Sequence, residues 1–426
     1  MPYAFRSSRE FQALRASGGG TLSVLQLSSD SVSRVDWNSS EQTMAGFGGS
    51  LCRFDWGNSA NDLTDAMADL YFTVESGIGL SILRVGINPE GLPWVAYGDI
   101  QRANARGVRI FGAPWSAPAA SKDNGSEDNG GHLLVGSYGS WSNTLAAFQG
   151  LCQTNAGSSL YAIQMQNEPD FAASYESMIY TPAETVAFAK VLGPKLAALT
   201  PAPLLLCGGF SNWDNLSPMV SAIEADSAAL TTTGIYASNQ YNGTVVPSTG
   251  VRPLWETEWS TFDAYDASIT NAIATARKCH EALTVGDVSA WMYWWIIPPI
   301  DPIDPGSPDN EGLVNPDTQI PAKRFWALGN WSKFVRPGFV RYGSTDNDGV
   351  YISAFRSPAT GQCVIVCVND SGGSRNVTLS CLSTQTVTPW RTSSTQDLVA
   401  LTALNVGPAG SIVSLPTQTV TSFVVT

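Results

Sequence analysis

At 426 residues the chain exceeds one ordinary domain, and a barrel of ~250 residues with a smaller module fits its length. Its 36 acidic against 23 basic residues give a net charge of −13, which repels nucleic acid and anionic membrane, and no run of ~18 apolar residues is present to span a bilayer. Seven cysteines without a Cys-x-x-Cys pair, and two histidines outside any recognisable constellation, argue against structural zinc and against Ser-His-Asp or Cys-His catalysis.

Met1 to Gly20 is polar, ends in Gly18-Gly19-Gly20 and reads as a poorly ordered extension without the apolar core of a signal peptide. Thr21 to Leu27 alternates like a strand, and a polar Ser28 to Thr43 run leads to Ala45-Gly-Phe-Gly-Gly-Ser50, whose glycines suit a tight turn close to ligand. Strand and helix signals then alternate. Helix spacing over Asn61 to Phe72, with Ser59 and Asn61 able to cap, precedes a strand at Ser81 to Ile87. Arg84 inside that apolar strand must meet a carboxylate, for structural or functional reasons. A helix at Asp99 to Arg106 and a strand at Val108 to Trp115 follow, and Trp115, at the strand's end before Pro118, is a candidate sugar platform. After the polar Lys122 to Gly131 loop and a helix at Thr144 to Gln153 comes the strand from Tyr161 that delivers Asn167 and Glu168 to a turn closed by Pro169. Thr181 to Leu199 is the clearest helix, with Pro182 at its start and Pro201 beyond its end. Further strands are predicted at Leu204 to Phe210, Gly234 to Tyr241, Val251 to Ser260 and Val288 to Ile297, with helices at Pro218 to Ala225, Ala267 to Leu283 and Ala322 to Phe334. The loop Pro298 to Pro321 is acidic, with no Lys or Arg, and is no anion pocket. From Phe339 helical periodicity vanishes and Val/Ser/Thr-rich strands take over, at Val350 to Phe355, Cys363 to Val368, Asn376 to Leu379 and Val420 to Val425.

Eight strands alternating with helices imply an α/β fold of the closed (β/α)8 type, with catalytic groups at the strands' C-terminal ends. Glu168 occupies one such end. Val251-Arg-Pro-Leu-Trp-Glu-Thr-Glu258 supplies two candidates at another, Glu256 and Glu258, which strand periodicity cannot separate. Two carboxylates on opposite sides of a glycosidic bond are what acetal hydrolysis needs, with no metal or organic cofactor.

Several motifs in this order resemble glycoside hydrolase family 30: Gly46-Phe-Gly48, Asn129-Gly-Gly-His132, Asn167-Glu-Pro169, Trp255-Glu-Thr-Glu258, and Ala322 to Phe334 running into Val335-Arg-Pro-Gly338. The resemblance covers Gln42 to Thr426. It implies Glu258 as nucleophile, with Glu256 a supporting acid or, if the two are inverted, the nucleophile itself. Glu168 would then be the acid/base and Asn167 a ligand of the sugar 2-hydroxyl. It further implies that Arg84 and Tyr241 hydrogen-bond the nucleophile and that Trp294 floors the sugar site. Asn239 stands where the family commonly carries His, which leaves the polar contacts of that subsite open. Arg53 is the remaining candidate for an anionic branch.

The organisation expected is an extension over 1–20, sandwich strands within 21–40, the barrel over 41–334 and a β-sandwich side domain over 335–426, built from both chain ends. The substrate expected is a β-linked plant cell-wall polysaccharide, xylan or glucuronoxylan first, with β-1,6-glucan or galactan as alternatives and a non-catalytic sugar-binding role as the rival class. Asn-x-Ser/Thr acceptors at Asn38, Asn124, Asn215, Asn242, Asn330, Asn369 and Asn376 suggest a secreted glycoprotein, expected to be a monomer, whose leader is not part of this sequence. One disulfide among Cys363, Cys367 and Cys381 is left open.

Overall fold

The computed structural model describes residues 26–29, 34–52, 63–262, 264–298 and 311–425. Arg53, the Met1 to Gly20 extension, the Ser59 and Asn61 caps, and Asp301, Asp304 and Asp309 lie outside the described residues.

The barrel begins at β3 (Gly46–Leu51), after β1 (Gln26–Ser29) and β2 (Val35–Thr43). It continues through β4 (Ile82–Ile87), β5 (Arg109–Pro114), β6 (Leu160–Gln164), β7 (Leu204–Asn212), β8 (Thr233–Asn242), β9 (Leu254–Glu256) and β10 (Ala290–Trp295). These eight strands pair in parallel in chain order, and β10 closes on β3 with Trp291 opposite Phe47. Each strand is buried on both faces, so it reads as an almost continuous apolar run. Alternation still sorts the faces. On β4, Leu83, Val85 and Ile87 pack into the layer shared with the helices, while Ile82 joins Phe111, Ala162, Leu206, Ala237 and Met292 inside the barrel.

Helices α1 (Asp65–Phe72), α2 (Tyr97–Asn104), α3 (Tyr138–Ala156), α4 (Pro182–Ala197), α5 (Leu216–Glu224), α6 (Ser227–Thr232), α7 (Ile269–Thr284) and α8 (Lys323–Ser332) cover the outside. Helix α4 starts at a capping box, in which Thr181 and Glu184 satisfy each other's backbone donors, with Pro182 in the first turn. Helix α3 starts earlier than its spacing predicts, because Tyr138 and Trp141 already face the core, and it ends at the left-handed Gly157. The short α6 escapes the sequence reading, although Asp226 caps it by accepting from the Ala228 and Ala229 N–H groups.

Nine further strands, β11 (Val340–Ser344), β12 (Val350–Arg356), β13 (Cys363–Asn369), β14 (Arg375–Ser380), β15 (Gln385–Ser393), β16 (Gln396–Ala400), β17 (Leu404–Val406), β18 (Ser411–Leu415) and β19 (Thr419–Val425), form two antiparallel sheets beside the barrel. Both chain ends build them: β1 pairs with β14, and β2 pairs with β11 at a sheet edge. The polar run after Ser28, within which sandwich strands were expected up to residue 40, contains β2, an edge strand that continues to Thr43 and whose exposed face tolerates Asn, Ser and Glu. A second apolar cluster that includes Ile352, Ile365, Val377, Leu415 and Phe423 fills the side domain. Helix α8 joins it to the barrel: buried Asn330 donates from Nδ2 to Ser422 Oγ at 2.8 Å and to the Trp390 carbonyl at 3.1 Å, and its Oδ1 accepts from Thr392 Oγ1 at 2.8 Å.

All seven cysteines are buried free thiols. Cys363 and Cys367 lie on one extended strand, too far apart for a disulfide. Two of the glycosylation acceptors, Asn330 and Asn369, are fully buried, which removes them from the expected set.

Candidate active site

Strand β6 ends at Gln164, and the chain then turns under tension. The Asn167 N–H donates to the Pro114 carbonyl of β5 at 2.8 Å and the Glu168 N–H to the Gly209 carbonyl of β7 at 2.9 Å, so strands on both sides hold the turn. Glu168 has φ +43°, in the left-handed region, which costs a non-glycine residue about 1–3 kcal/mol and persists only where surrounding contacts enforce it. Gly209 is also at positive φ, which favours glycine, and a Cβ there would displace the Gln164 side-chain amide, whose Nε2 lies 2.2 Å away and donates to the Gln166 and Gly208 carbonyls.

Glu258 lies just beyond β9. Arg84 Nη1 donates to its Oε2, and Tyr241 Oη donates to its Oε1 at 2.9 Å. The other arm of the same guanidinium donates to Asn167 Oδ1 at 2.6 Å, so Arg84 ties the two strand ends together. Arg84 is fully buried, with its charge over the rings of Trp115, at 4.7 Å, and Trp294, at 5.6 Å. Glu168 faces a neutral partner: Asn239 Nδ2 donates to its Oε1 at 3.2 Å, while Asn239 Oδ1 accepts from Thr257 Oγ1 at 2.8 Å, which fixes the amide's orientation.

The two glutamates that periodicity could not separate part here, because β9 ends at Glu256. Glu256 is fully buried, does not line the cavity, and accepts the Met292 N–H at 2.8 Å through Oε2. Burial holds its carboxyl well above the usual range, toward the protonated form.

Glu168 and Glu258 line one cavity of about 590 Å³ with Asn167, Trp115, Tyr241 and Trp294. Burial first, and then the Glu258 charge, raise Glu168 above the ordinary carboxylate range; the Asn239 amide offsets this only in part. Burial raises Glu258 as well, but Arg84 and the Tyr241 hydroxyl oppose it, so the proton of the pair belongs on Glu168. Burial and the Glu258 charge keep the Tyr241 phenol protonated, and it serves as a donor.

No family model matches the chain. Glucuronoxylanase XynC of Bacillus subtilis (strain 168) is 30% identical to it over 415 residues, spanning 92% of this chain and 91% of that protein. This chain belongs to glycoside hydrolase family 30. Among solved structures, the family 30 subfamily 8 xylanase Xyn30A from Clostridium acetobutylicum superposes with a TM-score of 0.79 at 26% identity, covering 92% of this chain and 98% of that one. The catalytic domain of xylanase C from Talaromyces cellulolyticus shares the fold, with a TM-score of 0.81 at 23% identity over 92% and 99% of the two chains.

This family 30 glycoside hydrolase lines its cavity with further residues that the sequence reading did not place at the site: Phe171, Tyr175, Ser211, Asn242, Phe262, Trp295 and Glu311. Phe171 and Phe262 are 45% and 66% exposed, unusual for phenylalanine, and Phe262 packs on Tyr241 with ring centroids 5.2 Å apart. The signal that could have found them is an aromatic residue in a polar loop directly after a catalytic strand end, as in Asp170-Phe-Ala-Ala-Ser-Tyr175. Trp115, expected as an open platform, is 2% exposed, and its ring carries the Arg84 charge as well as lining the cavity. No Lys, Arg or His is among the described residues that line the cavity, whereas Glu311 of the loop after β10 is.

Proposed function

We propose that the protein is a secreted retaining endo-acting hydrolase of the β-1,4-xylan backbone, with Glu258 as nucleophile and Glu168 as acid/base. The observation that carries the mechanism is the asymmetry between two carboxylates on one cavity. One is held by a guanidinium and a phenol; the other is buried against a neutral amide. Ionised Glu258 attacks the anomeric carbon as Glu168 protonates the departing glycosidic oxygen, and the carbon–oxygen bond breaks. Glycosylation of Glu258 removes the charge that raised Glu168, so the Glu168 carboxylate becomes a competent base. It then takes a proton from the water that attacks the anomeric carbon and releases Glu258. Asn167, oriented by Arg84, is placed to hold the sugar 2-hydroxyl.

Xylan is supported by the glucuronoxylan-cleaving relative and by the aromatic lining, since pyranose rings stack on such faces. A glucuronate branch is not required in this reading: the described lining offers no cation, and Glu311 would repel an anionic branch. A polymer too large to enter a cell places the reaction outside it, in keeping with exposed acceptors at Asn38, Asn124, Asn215, Asn242 and Asn376.

Incubation with linear xylan, glucuronoxylan, β-1,6-glucan and β-1,6-galactan, with products read by mass spectrometry and by proton NMR of the first-formed anomer, tests the proposal. Cleavage of both xylans to β-anomers is expected. Cleavage confined to glucuronoxylan, with the branch at a fixed distance from every cut, would overturn the neutral-backbone reading. Cutting only β-1,6-glycans would overturn the substrate, and first-formed α-anomers would overturn the retaining mechanism.

A further inference from the structure

Glu168 holds a backbone conformation that few residues adopt, and Pro169 follows it, so the turn that aims the carboxyl has to be held from outside. The hold comes two residues later. Asp170 Oδ1 accepts the Ser211 N–H at 2.9 Å, and its Oδ2 accepts the Asn212 N–H at 3.0 Å and Asn215 Nδ2 at 2.9 Å. A single carboxylate thus grips the last two residues of β7 and the turn after them. With the Glu168 N–H already bonded to Gly209, the acid/base segment is fastened to β7 at two points that bracket the catalytic side chain. Asn212 in turn stands opposite Asn242 of β8, the residue after Tyr241, so the same clamp extends to the strand that carries Glu258's phenol partner.

Asp170 itself does not line the cavity. We propose that Asp170 is a positioning residue for proton donation, locking Glu168 in its left-handed turn by clamping the C-terminal end of β7. This rests on the reading of Glu168 as the proton donor. Electrostatics points the same way: the Asp170 charge adds to burial and to Glu258 in keeping the Glu168 proton in place. The other ionisable groups facing Glu168 are Arg84 from β4, Tyr241 from β8 and Tyr175 from its own loop.

The test compares two leaving groups. Xylan needs a proton on the departing oxygen, whereas 2,4-dinitrophenyl β-xylobioside releases a phenolate that does not. Asp170→Asn, which keeps the side-chain volume but loses the charge and one acceptor, and Asp170→Ala are measured on both substrates, below the temperature at which circular dichroism shows either variant unfolding. A misaimed acid costs about 10²-fold in kcat/KM on xylan and far less in kcat/KM on the aryl glycoside; kcat/KM is compared because it reports the glycosylation step, whereas the later attack of water is common to both substrates. The alkaline limb of the xylan pH profile should also move to lower pH in both variants. Equal losses on the two substrates, or wild-type kcat/KM in both variants, would overturn the proposal, because a merely structural residue does not discriminate leaving groups. Glu168→Gln is run alongside: if it shows the leaving-group difference and the Asp170 variants do not, only the clamp fails; if it does not, the reading of Glu168 fails and the clamp with it.

Discussion

Replacing Tyr241 by Phe removes one oxygen and leaves a ring that still packs on Phe262, so the variant deletes the hydroxyl's bond to Glu258 Oε1 at 2.9 Å together with its longer contact to Ser260 Oγ at 3.3 Å. A hydrogen bond to a charged group contributes about 1.5–3 kcal/mol, and one pKa step corresponds to about 1.4 kcal/mol, so Glu258 should titrate about 1 to 2 pH steps higher without it. The sign follows from the role. The nucleophile works only when ionised, the phenol favours the ionised form, and losing it raises the pH below which Glu258 is protonated. The acidic limb of kcat/KM should therefore move up by about 1 to 2, while the alkaline limb, set by Glu168, stays where it was. The assay is a pH profile of xylan hydrolysis at substrate concentrations well below KM, with the stability of the variant checked at each pH. An acidic limb that does not move would refute the electrostatic reasoning, and movement of the alkaline limb instead would mean that the two glutamates have exchanged roles.

Glu258→Ala should abolish turnover of every substrate while the thermal transition is preserved, and unchanged activity would reject it as nucleophile. Glu311→Gln should raise kcat/KM on glucuronoxylan relative to linear xylan by up to about tenfold, as loss of one exposed like charge allows; an unchanged ratio in a side-by-side assay counts against repulsion at the rim. Asn330→Ala takes the acceptor from the Thr392 hydroxyl and a donor from the Trp390 carbonyl inside the joint between barrel and side domain, while Ser422 keeps its bond to the backbone carbonyl of residue 330; at about 1–3 kcal/mol for a buried group left unsatisfied, the urea midpoint should fall with kcat intact. After expression in a eukaryotic secretory host, glycopeptide mapping should find sugar at some of the exposed acceptors and none at Asn330 or Asn369; occupancy at either buried site would contradict the fold there.

Much of the architecture was readable because barrel strands, buried on both faces, leave short apolar runs that helices separate regularly. The side domain was harder. Strand β15 reads as Gln-Thr-Val-Thr-Pro-Trp-Arg-Thr-Ser and carries Pro389 in its middle, and β16 to β18 expose one face, so neither composition nor alternation marks them. Within the site, a buried arginine on an apolar strand signalled its need for a carboxylate, and the structure pairs Arg84 with Glu258. Glu256 and Glu258 could not be ranked by period, because periodicity assumes a strand that continues and this one stops between them. The bonds of Asn239 to Thr257 and of Asp170 to β7 span intervals that no local pattern encodes, and the parallel pairing of neighbouring strands brings them together.

The position of the proton follows from where the barrel places the buried Arg84 charge. Arg84 and Glu258 leave water together, a step that gains little unless every remaining donor finds an acceptor. Nη2 finds Asn167, the residue beside Glu168, the rings of Trp115 and Trp294 take the guanidinium's face, and Nε alone is left without a hydrogen-bond partner. Glu168 is buried next to the ion pair without a hydrogen bond to its cation, so burial and the neighbouring charge raise it, while at Glu258 Arg84 and the Tyr241 hydroxyl oppose the rise. At Glu168 a neutral amide supplies orientation without a positive charge, and Thr257, the residue just before the nucleophile, fixes which way the amide points. On the proposed mechanism, nucleophile and acid are thus set apart by a single assignment of charge, with Arg84 on one side and Asn239 on the other.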